Sequence, residues 1–562
     1  MSIRNRHSRW VIAVGLATAL LTAACTSGGV TTKANAPAAD LPVRQGGSIV
    51  IGAEAEPDCA DWIASCAGSI WGSYTMMIPT IPRAFESRKV NGNWVPVAST
   101  AMAGEPQVVV DGTGQKVTYR INPAAVWSDG RPITSEDIKY TALQIRDGQD
   151  VFSKTGYDQI AAIDTPDPKT AVVTFTKVFA NWRSLFSDTS GILPSHLLAG
   201  KDRSAVMKDG YTFSGRPWKI ESWVKGSAVT LVPNPNYWGA KPKLDKVTFQ
   251  FTSDTAAAFQ AFKTGQLDAL YPTPQLDAID QIKAGVPNAQ SAVDAQSGNL
   301  EALWLNNATA PFDSTAFRQA VSYSLDRKAI ATRLYGALGV TEPAQSVLTP
   351  IIAQYGGSDF AQFVPDPAKV TSLMQGDGWA KDPDGIWAKN GTRATFSITS
   401  LAGNKRRELT EQILQQQLRS AGFDATITNT TAADLFGKRG PAGQFQMGLW
   451  TLITTFPEPT LSDSFSSTAI PSPANGNSGI NFARITVPGI DAVLSKADSV
   501  TDETARIAAT KEADRMLANS AAVLPLDAIP NVLLWNKKIG GPVTINPSQG
   551  PFWNLDQWGL TS

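Results

Sequence analysis

Few residues in this chain have the types and spacing that catalysis or metal binding needs. Histidine occurs at His7 and His196, and only His196 lies beyond the first 24 residues. One histidine cannot build a multi-histidine zinc centre. It could serve a Ser-His-Asp hydrolase, but its surroundings read LPSHLL and no G-x-S-x-G motif occurs in the chain. The sequence therefore predicts a protein that is not an enzyme and that uses no metal or cofactor.

The first of three cysteines, Cys25, ends a segment that resembles an export signal. Residues 11–21 (VIAVGLATALL) are apolar but too short to span a bilayer comfortably, and the basic residues Arg4, Arg6 and Arg9 precede them. The following TAAC is similar to a bacterial lipobox, in which the cysteine is lipid-modified. We expect a lipoprotein signal peptide over 1–25, lipidation at Cys25 and a flexible tether over 26–46. The alternative is ordinary secretion that leaves a free cysteine.

The other two cysteines, Cys59 and Cys66, form an even pair in a chain that is expected to be exported. Such a pair favours a disulfide over a metal site, which would need more ligands. The bridge would close a small loop around Asp61 and Trp62, with Glu56 before it and Tyr74 after it. We expect this loop to be a candidate ligand-facing wall, and a rigid surface loop is the alternative.

Composition places the chain among large globular proteins. It has 562 residues, of which 43% are hydrophobic, and its 49 basic residues balance 49 acidic ones. That length suffices for two or three domains, and the charge balance gives no reason to expect nucleic-acid binding. Strand patterns such as 48–53 (SIVIGA) and helix patterns such as 405–421 are mixed along the chain without a fixed repeat. The expected class is therefore α/β.

Five ordered segments carry a resemblance to a known family. Residues 127–137 read WSDGRPITSED, 234–247 read NPNYWGAKPKLDKV, and 261–268 read AFKTGQLD. Residues 305–327 contain LN, PF, FRQA and DR in that order, and 366–379 begin with DPAK and end with GW. Together they resemble the peptide/nickel-type (family 5) substrate-binding proteins of ABC importers, a group that includes oligopeptide- and dipeptide-binding proteins. The resemblance covers nearly all of the chain after the signal segment.

The resemblance implies a two-lobed periplasmic-binding-protein-like fold with an extra inserted domain and a ligand cleft between the lobes. Lobe I is expected over three pieces of the chain, lobe II over one, and the insert between the first two pieces of lobe I. The predicted boundaries are 47–80, 205–300 and 526–562 for lobe I, 81–204 for the inserted subdomain II, and 301–525 for lobe II (domain III).

The segment 445–465 (FQMGLWTLITTFPEPTLSDSF) is the predicted floor of that cleft. In many peptide binders of the family an aspartate in this pattern binds the ligand's α-amino group. Here Thr454 or Thr455 takes that position, Phe456 follows, and Trp450 stands near the family's tryptophan. The resemblance makes these four residues candidate ligand contacts, whereas a β-branched strand end is the purely structural alternative for the threonine pair.

No acid stands at the expected place, and three explanations remain open. The ligand could be a peptide whose amino terminus is not bound there, or a non-peptide such as an oligosaccharide that stacks on aromatic rings. Alternatively, an acid elsewhere, such as Asp61 or Glu56, could replace the missing one. Asn306, at the end of the strand LWLN, is a further candidate for the cleft, and it could equally cap the next turn.

The resemblance implies an extracytoplasmic, lipid-anchored receptor that captures oligopeptides and delivers them to an ABC permease without chemistry on the ligand. We expect a monomer, with the ligand, the permease subunits and the membrane as its partners and no nucleic acid. Import of oligosaccharides or another non-peptide solute is one alternative. A non-transport regulator of envelope biosynthesis on the same fold is another, and an exported hydrolase that uses His196 is a third.

Overall fold

The computed structural model describes residues 41–562 except positions 91, 92, 113, 150, 188, 189, 273, 275, 296 and 455. The predicted signal segment, Cys25 and most of the predicted tether lie outside the described residues, as does Thr455. Within the described part of the chain, no helix is both long and apolar enough to cross a membrane.

A seven-stranded mixed sheet forms the first lobe. Its strand Ser48–Ala53 is rich in β-branched residues, as predicted, and runs parallel to two neighbours, Lys246–Phe251 and Ala269–Leu270. Strands rich in buried apolar residues suit such a central position. The order across the sheet is Ala289–Asp294, Asn531–Asn536, Ala269–Leu270, Ser48–Ala53, Lys246–Phe251, Ala228–Pro233 and Trp218–Val224.

A five-stranded sheet forms the second lobe. Helix Lys405–Ala421 connects two parallel strands, Thr395–Thr399 and Asp424–Ile427, and Gly422 ends it with a positive φ of 98°. The helix is the one that the sequence predicts over 405–421, and with its two strands it forms a βαβ unit. The order across the sheet is Asp424–Ile427, Thr395–Thr399, Met447–Ile453, Asn299–Leu305 and Val523–Ala528.

In the part of the chain that the structure describes, two crossings connect the large sheets, and they lie side by side. Strand Ala289–Asp294 leads into Asn299–Leu305, and Val523–Ala528 leads into Asn531–Asn536. The two crossing segments pair antiparallel in both sheets, with Asp294 opposite Asn531 in one and Leu300 opposite Ala528 in the other. A pair of short connections of this kind is the typical hinge of a two-lobed protein.

A separate four-stranded antiparallel sheet lies within the stretch predicted as an insert. Helix Ser135–Asp147 packs with it, and its N-terminus has a capping box between Thr134 and Asp137. The strands, in sheet order, are Gln107–Asp111, Gly114–Arg120, Thr170–Phe175 and Ile160–Asp167. A hairpin, Phe85–Val90 with Asn93–Ala98, precedes the sheet.

The remaining regular elements follow the predicted mixture of helices and strands. The longer helices are Thr255–Lys263, Leu276–Ala284, Thr315–Tyr323, Arg327–Tyr335, Pro367–Gly376, Ile490–Ser499 and Glu503–Ser520. The small strands are Val43–Arg44, Ala380–Lys381, Trp387–Lys389, Thr392–Arg393, Ile539–Gly540 and Gly559–Thr561. The domain boundaries stay predictions, and the one at 525–526 falls inside strand Val523–Ala528.

Candidate ligand-binding cleft

A cavity of about 340 Å³ lies between the two large sheets, beside the chain crossings. Asn299, Ile529 and Pro530, from the two crossing segments, line it. The Ile529 backbone amide donates to the Asn299 carbonyl over 3.0 Å, and the Asn299 side chain donates to Asn531 Oδ1 over 3.2 Å. The volume lies near the lower end of the range for small-molecule sites, about 300–1,000 Å³. The hinge region therefore forms part of the cavity wall.

The first wall follows strand Ser48–Ala53. Glu54 and Ala55 line the cavity at the carboxyl end of this strand, where ligands commonly bind to α/β sheets. The predicted disulfide between Cys59 and Cys66 is present and closes the next loop. The chain then returns to the cavity, which is lined by Ala67, Gly68, Ser69, Ile70, Trp71, Ser73 and Tyr74.

Packed aromatic rings stiffen this wall. Trp71, Tyr74 and Tyr271 contact one another edge to face, with ring centroids 5.8–6.2 Å apart. Trp62 donates its indole N–H to the Tyr211 hydroxyl over 2.7 Å. Burial raises the pKa of Tyr74, so its hydroxyl stays neutral. All of these rings except Tyr211 line the cavity. Trp62 and Tyr74, two of the predicted site residues, are therefore part of the cavity wall.

The opposite wall consists of strand Met447–Ile453 and the helix Leu461–Phe465. Trp304 and Trp450 stack with their planes 10° apart and their centroids 5.6 Å apart, and Phe465 also stacks with Trp304, at a centroid distance of 6.0 Å. The Trp450 ring lies over Gly448, where any side chain would overlap it. Trp450, a predicted site residue, and its stacking partner Trp304 both line the cavity.

The threonine pair at the end of this strand is described only in part. Thr454 lines the cavity, its amide donates to the Gly298 carbonyl over 2.7 Å, and its hydroxyl accepts from Thr349 Oγ1 over 2.8 Å. Thr455 lies outside the described residues. Phe456 is 3% exposed, packs in the apolar core of the first lobe and does not line the cavity.

Three other predicted site residues lie away from the cavity lining, where each has structural partners. Glu56 accepts hydrogen bonds from the Trp223 indole and the Gly226 amide. Asp61 is fully buried and forms an ion pair with Arg203 at 2.8 Å. Asn306 is also buried and donates to the carbonyl oxygens of residues 443 and 445. Neither of the acids proposed as substitutes for the missing aspartate reaches the cavity.

Two different acids line the cavity, Glu54 and Asp463, and neither is predicted as a site residue from the sequence. Glu54 Oε1 accepts from the Asn404 side chain over 2.9 Å. Ser153 donates its hydroxyl to Asp463 Oδ1 over 2.6 Å. Burial raises the pKa of Asp463, and hydrogen bonds from serine and threonine hydroxyls offset part of that rise. Glu54 could have been found from its place directly after the predicted strand 48–53.

The cationic residues of the lining, Arg406 and Arg407, are already paired. Both contact the fully buried Glu301, and Arg407 Nε lies 3.1 Å from Glu301 Oε2. Burial alone would raise the pKa of Glu301, but the two guanidinium groups outweigh it and lower the pKa. Arg407 also donates to the Thr451 hydroxyl over 2.9 Å. Glu301 therefore offsets one of the two positive charges beneath the cavity wall.

The single histidine of the described region lies elsewhere. His196 Nε2 is 2.8 Å from Asp129 Oδ2, and neither residue lines the cavity. The neighbouring Ser195 hydroxyl donates to Asp137 Oδ1 over 2.6 Å and not to the histidine. Within the residues that the structure describes, no group of three His, Cys, Asp or Glu side chains could hold a metal ion.

A two-lobed α/β fold with a cleft at its hinge defines a class of ligand-binding proteins, and sequence comparison identifies the family. Residues 99–471 match the profile of the bacterial extracellular solute-binding proteins, family 5. The chain therefore belongs to the family 5 extracellular solute-binding proteins.

Individual relatives agree with that assignment. The oligopeptide-binding protein OppA of Mycobacterium tuberculosis is 26% identical over 477 residues, covering 82% of this chain and 76% of that protein. The oligopeptide-binding protein AppA of Bacillus subtilis, solved with a nonapeptide, has a TM-score of 0.81 at 18% identity and covers 93% of this chain and 100% of its own. An oligopeptide-binding protein of Thermus thermophilus, solved with a pentapeptide, has a TM-score of 0.79 at 19% identity, with coverages of 91% and 96%. Both structures share this fold.

Proposed function

We propose that this protein captures oligopeptides outside the cytoplasmic membrane and delivers them to an ABC permease. The observation that carries the proposal is the aromatic-walled cavity between two lobes, at the chain crossings, in a chain of the family 5 solute-binding proteins. The related proteins are named oligopeptide-binding proteins, and this supports the same ligand class. The bound peptide leaves unchanged, so the protein acts as a receptor and not as an enzyme.

The cavity residues divide into those that contact peptide and those that keep the walls in place. Trp62, Tyr74 and Trp450 offer apolar ring faces, and Thr454 offers a hydroxyl for hydrogen bonding to a peptide backbone. Thr455, the neighbour of Thr454, shares this role in the proposal. Glu56, Asp61, Asn306 and Phe456 support the walls through their buried or hydrogen-bonded partners.

Binding and release use rotation of one lobe against the other. Lobe I comprises about 47–80, 205–300 and 526–562, lobe II about 301–525, and the insert about 81–204. Because two short connections join the large sheets in the described part of the chain, a few residues at these crossings, such as Ile529 and Pro530, can absorb the rotation. Closure removes the peptide from solvent and presents a defined lobe arrangement to the permease.

The protein reaches this location through its first residues. Residues 1–25 direct export, lipidation of Cys25 anchors the mature chain to the membrane, and residues 26–46 tether the receptor to that anchor. One copy of the chain contains the whole cavity, so the proposed receptor works as a monomer.

A second ligand class fits the aromatic walls. Parallel rings such as Trp304 and Trp450 also provide flat apolar faces for sugar rings. An oligosaccharide or another non-peptide solute is therefore the alternative cargo.

Mass spectrometry of the ligand that co-purifies with the full-length protein tests the proposal. The protein is extracted from its own membranes, washed, and denatured to release what it carries. A mixed set of short peptides is the expected result. Release of a single glycan or another non-peptide species would show that the alternative ligand class is the cargo. Protein that carries nothing and binds no member of a random hexapeptide library would overturn the receptor function.

A further inference from the structure

The insert and lobe I share one apolar core. The cluster of buried apolar side chains that contains Ile51 of lobe I also contains Val117 and Phe179 of the insert. Lobe II has a cluster of its own, which includes Leu303 and Leu449. Parts of a chain that are joined by continuous apolar packing move together, whereas parts joined by smaller and more polar contacts can separate. The insert is therefore expected to rotate with lobe I when lobe II moves.

The insert meets lobe II through hydrogen bonds of both side chain and backbone. Asn181 donates its side-chain amide to the Pro459 carbonyl over 2.6 Å and to Asp498 Oδ1 over 3.1 Å. The Ala180 amide donates to the Asp498 carbonyl over 2.5 Å. Asn181 and Asp498 are both buried, so losing the donor leaves buried acceptors without a partner.

A second part of this contact lies at the cavity itself. Phe152 lines the cavity, and its carbonyl accepts from the Gly479 amide over 3.2 Å. The neighbouring Ser153 donates its hydroxyl to Asp463, another residue of the cavity lining. The insert thus forms part of the cavity boundary and is joined there to lobe II.

Aromatic rings cross the boundary in both directions. Phe456 of lobe II packs in the core that lobe I and the insert share, and Trp94 of the insert packs against the lobe II cluster. An ion pair lies beside them, with Arg183 Nη1 3.7 Å from Glu458 Oε1. Separation would expose both rings to water, which favours the closed arrangement once lobe II has rotated into place.

We propose that residues 152–153 and 180–183 of the insert form a clasp with residues 458–463, 479 and 498 of lobe II, and that this clasp sets how long a bound peptide stays. The inference rests on the proposed peptide-binding function and gives the insert a part in it. Lobes I and II enclose the peptide, and the insert holds them together. Because capture begins from the open form, in which these contacts are absent, the clasp acts on release and not on capture.

Peptide release from wild type and from Asn181→Leu tests the clasp. Leucine keeps the approximate size of asparagine and removes the donor for Pro459 and Asp498. The full-length proteins are loaded with an isotope-labelled random hexapeptide library and mixed with a large excess of the unlabelled library, and the retained label is followed by mass spectrometry. Asn181→Leu is expected to release the label about tenfold faster or more, while its loading rate stays within about twofold.

Asn122→Leu is the matched control, because it makes the same change elsewhere in the insert. The Asn122 side chain donates to the Thr100 carbonyl and accepts from the Ala124 amide, both within the insert, so release should match wild type. Equal release from Asn181→Leu and wild type would overturn the clasp, and so would equally fast release from both variants. Failure of wild type to retain any labelled peptide would instead refute the proposed function.

A cross-link tests the clasp without removing a contact from the closed form. The backbone hydrogen bond between Ala180 and Asp498 brings their Cα atoms near the separation that a disulfide requires, about 4.4–6.8 Å. Ala180→Cys with Asp498→Cys is expected to retain the label when oxidised and to release it after mild reduction. Wild type with the same reductant controls for the native Cys59–Cys66 bridge. Release at the wild-type rate from protein whose new bridge is confirmed by mass spectrometry would show that the contact stays closed during release, and would overturn the clasp.

Discussion

The side-chain amide of Asn181 donates to Asp498 Oδ1 over 3.1 Å and also to the carbonyl oxygen of Pro459. Asn181 belongs to the stretch predicted as the insert, whereas Asp498 lies in the last turn of helix Ile490–Ser499 in the second-lobe stretch. The Ser462 hydroxyl donates to the other carboxylate oxygen of Asp498. This buried contact therefore links the two parts of the chain through one acid.

Asp498 is expected to make stability depend on pH. Burial raises the pKa of Asp498 to about 7, and the negative charge of Asp463 adds to this rise. The hydrogen bond from Ser462 and the positive charges of Arg506 and Lys177 oppose it. The folded state thus favours the neutral acid. The contribution of Asp498 to folding stability is therefore fully present below about pH 4 and is lost as the pH rises through about 7. Between pH 5 and pH 8, ionisation of this one group should lower the free energy of unfolding by about 2–3 kcal/mol.

Chemical denaturation at pH 5 and pH 8 measures the effect. Asp498→Asn preserves the hydrogen-bonding shape and cannot ionise, so its stability should change less between the two pH values. Asp209→Asn, at an exposed side chain, should behave like wild type. Equal pH dependence in Asp498→Asn and wild type would show that Asp498 does not titrate in this range.

Gly448→Ala is expected to disrupt the second cavity wall. A methyl group at this position would overlap the Trp450 ring, which must then leave its stack with Trp304. Overpacking of this kind costs about 1–3 kcal/mol, and peptide affinity should fall because the wall loses its flat face. Gly376→Ala is the control, since nothing lies near its added methyl group. Wild-type affinity in Gly448→Ala would argue against Trp450 as a ligand contact.

The sequence predicts local structure well where neighbouring residues determine it. Helix Lys405–Ala421 begins after Asn404, whose side chain caps Arg407 N, and ends at Gly422, all within one readable segment. The capping box of Thr134 and the strand Ser48–Ala53 follow from equally local patterns. The family resemblance then supplies the arrangement of lobes, which no local pattern contains.

The sequence does not predict contacts between residues that are distant in the chain. Asp463 meets Ser153 across 310 positions, and nothing near either residue indicates that pairing. Asp61 and Glu56 looked like free acids because their partners, Arg203 and Trp223, lie more than 140 positions away. Which acid faces the cavity is therefore decided by tertiary packing.

Thr454→Val tests the hydroxyl at the end of the cavity strand. Valine keeps the β-branched shape and removes the acceptor for Thr349 Oγ1. We expect a loss of about 1 kcal/mol in stability and peptide binding about fivefold weaker by calorimetry. Thr371→Val, on the exposed face of helix Pro367–Gly376, is the matched change away from the cavity. Unaltered affinity in Thr454→Val would remove this hydroxyl from the proposed contacts.

Cys25→Ser tests the proposed anchor. Without the thiol no lipid can be attached at this position, so the protein should move from the membrane pellet to the soluble fraction in cell fractionation. Thr26→Ala, which keeps Cys25, should stay in the pellet. A serine variant that remains with the membrane would contradict lipidation at Cys25.

Removing the Cys59–Cys66 disulfide is expected to affect stability and binding together. The two cysteines are seven positions apart, and closing so short a loop restricts the unfolded chain by about 2–3 kcal/mol. The loop leads directly into the wall that carries Trp71 and Tyr74, whose rings pack with Tyr271. The double variant Cys59→Ser with Cys66→Ser should therefore melt at a lower temperature and bind peptide more weakly, since the wall must be ordered on binding.

Calorimetry of binding well below the melting temperature separates the two effects. Unchanged affinity there would show that the wall keeps its arrangement without the bridge, through the aromatic contacts alone.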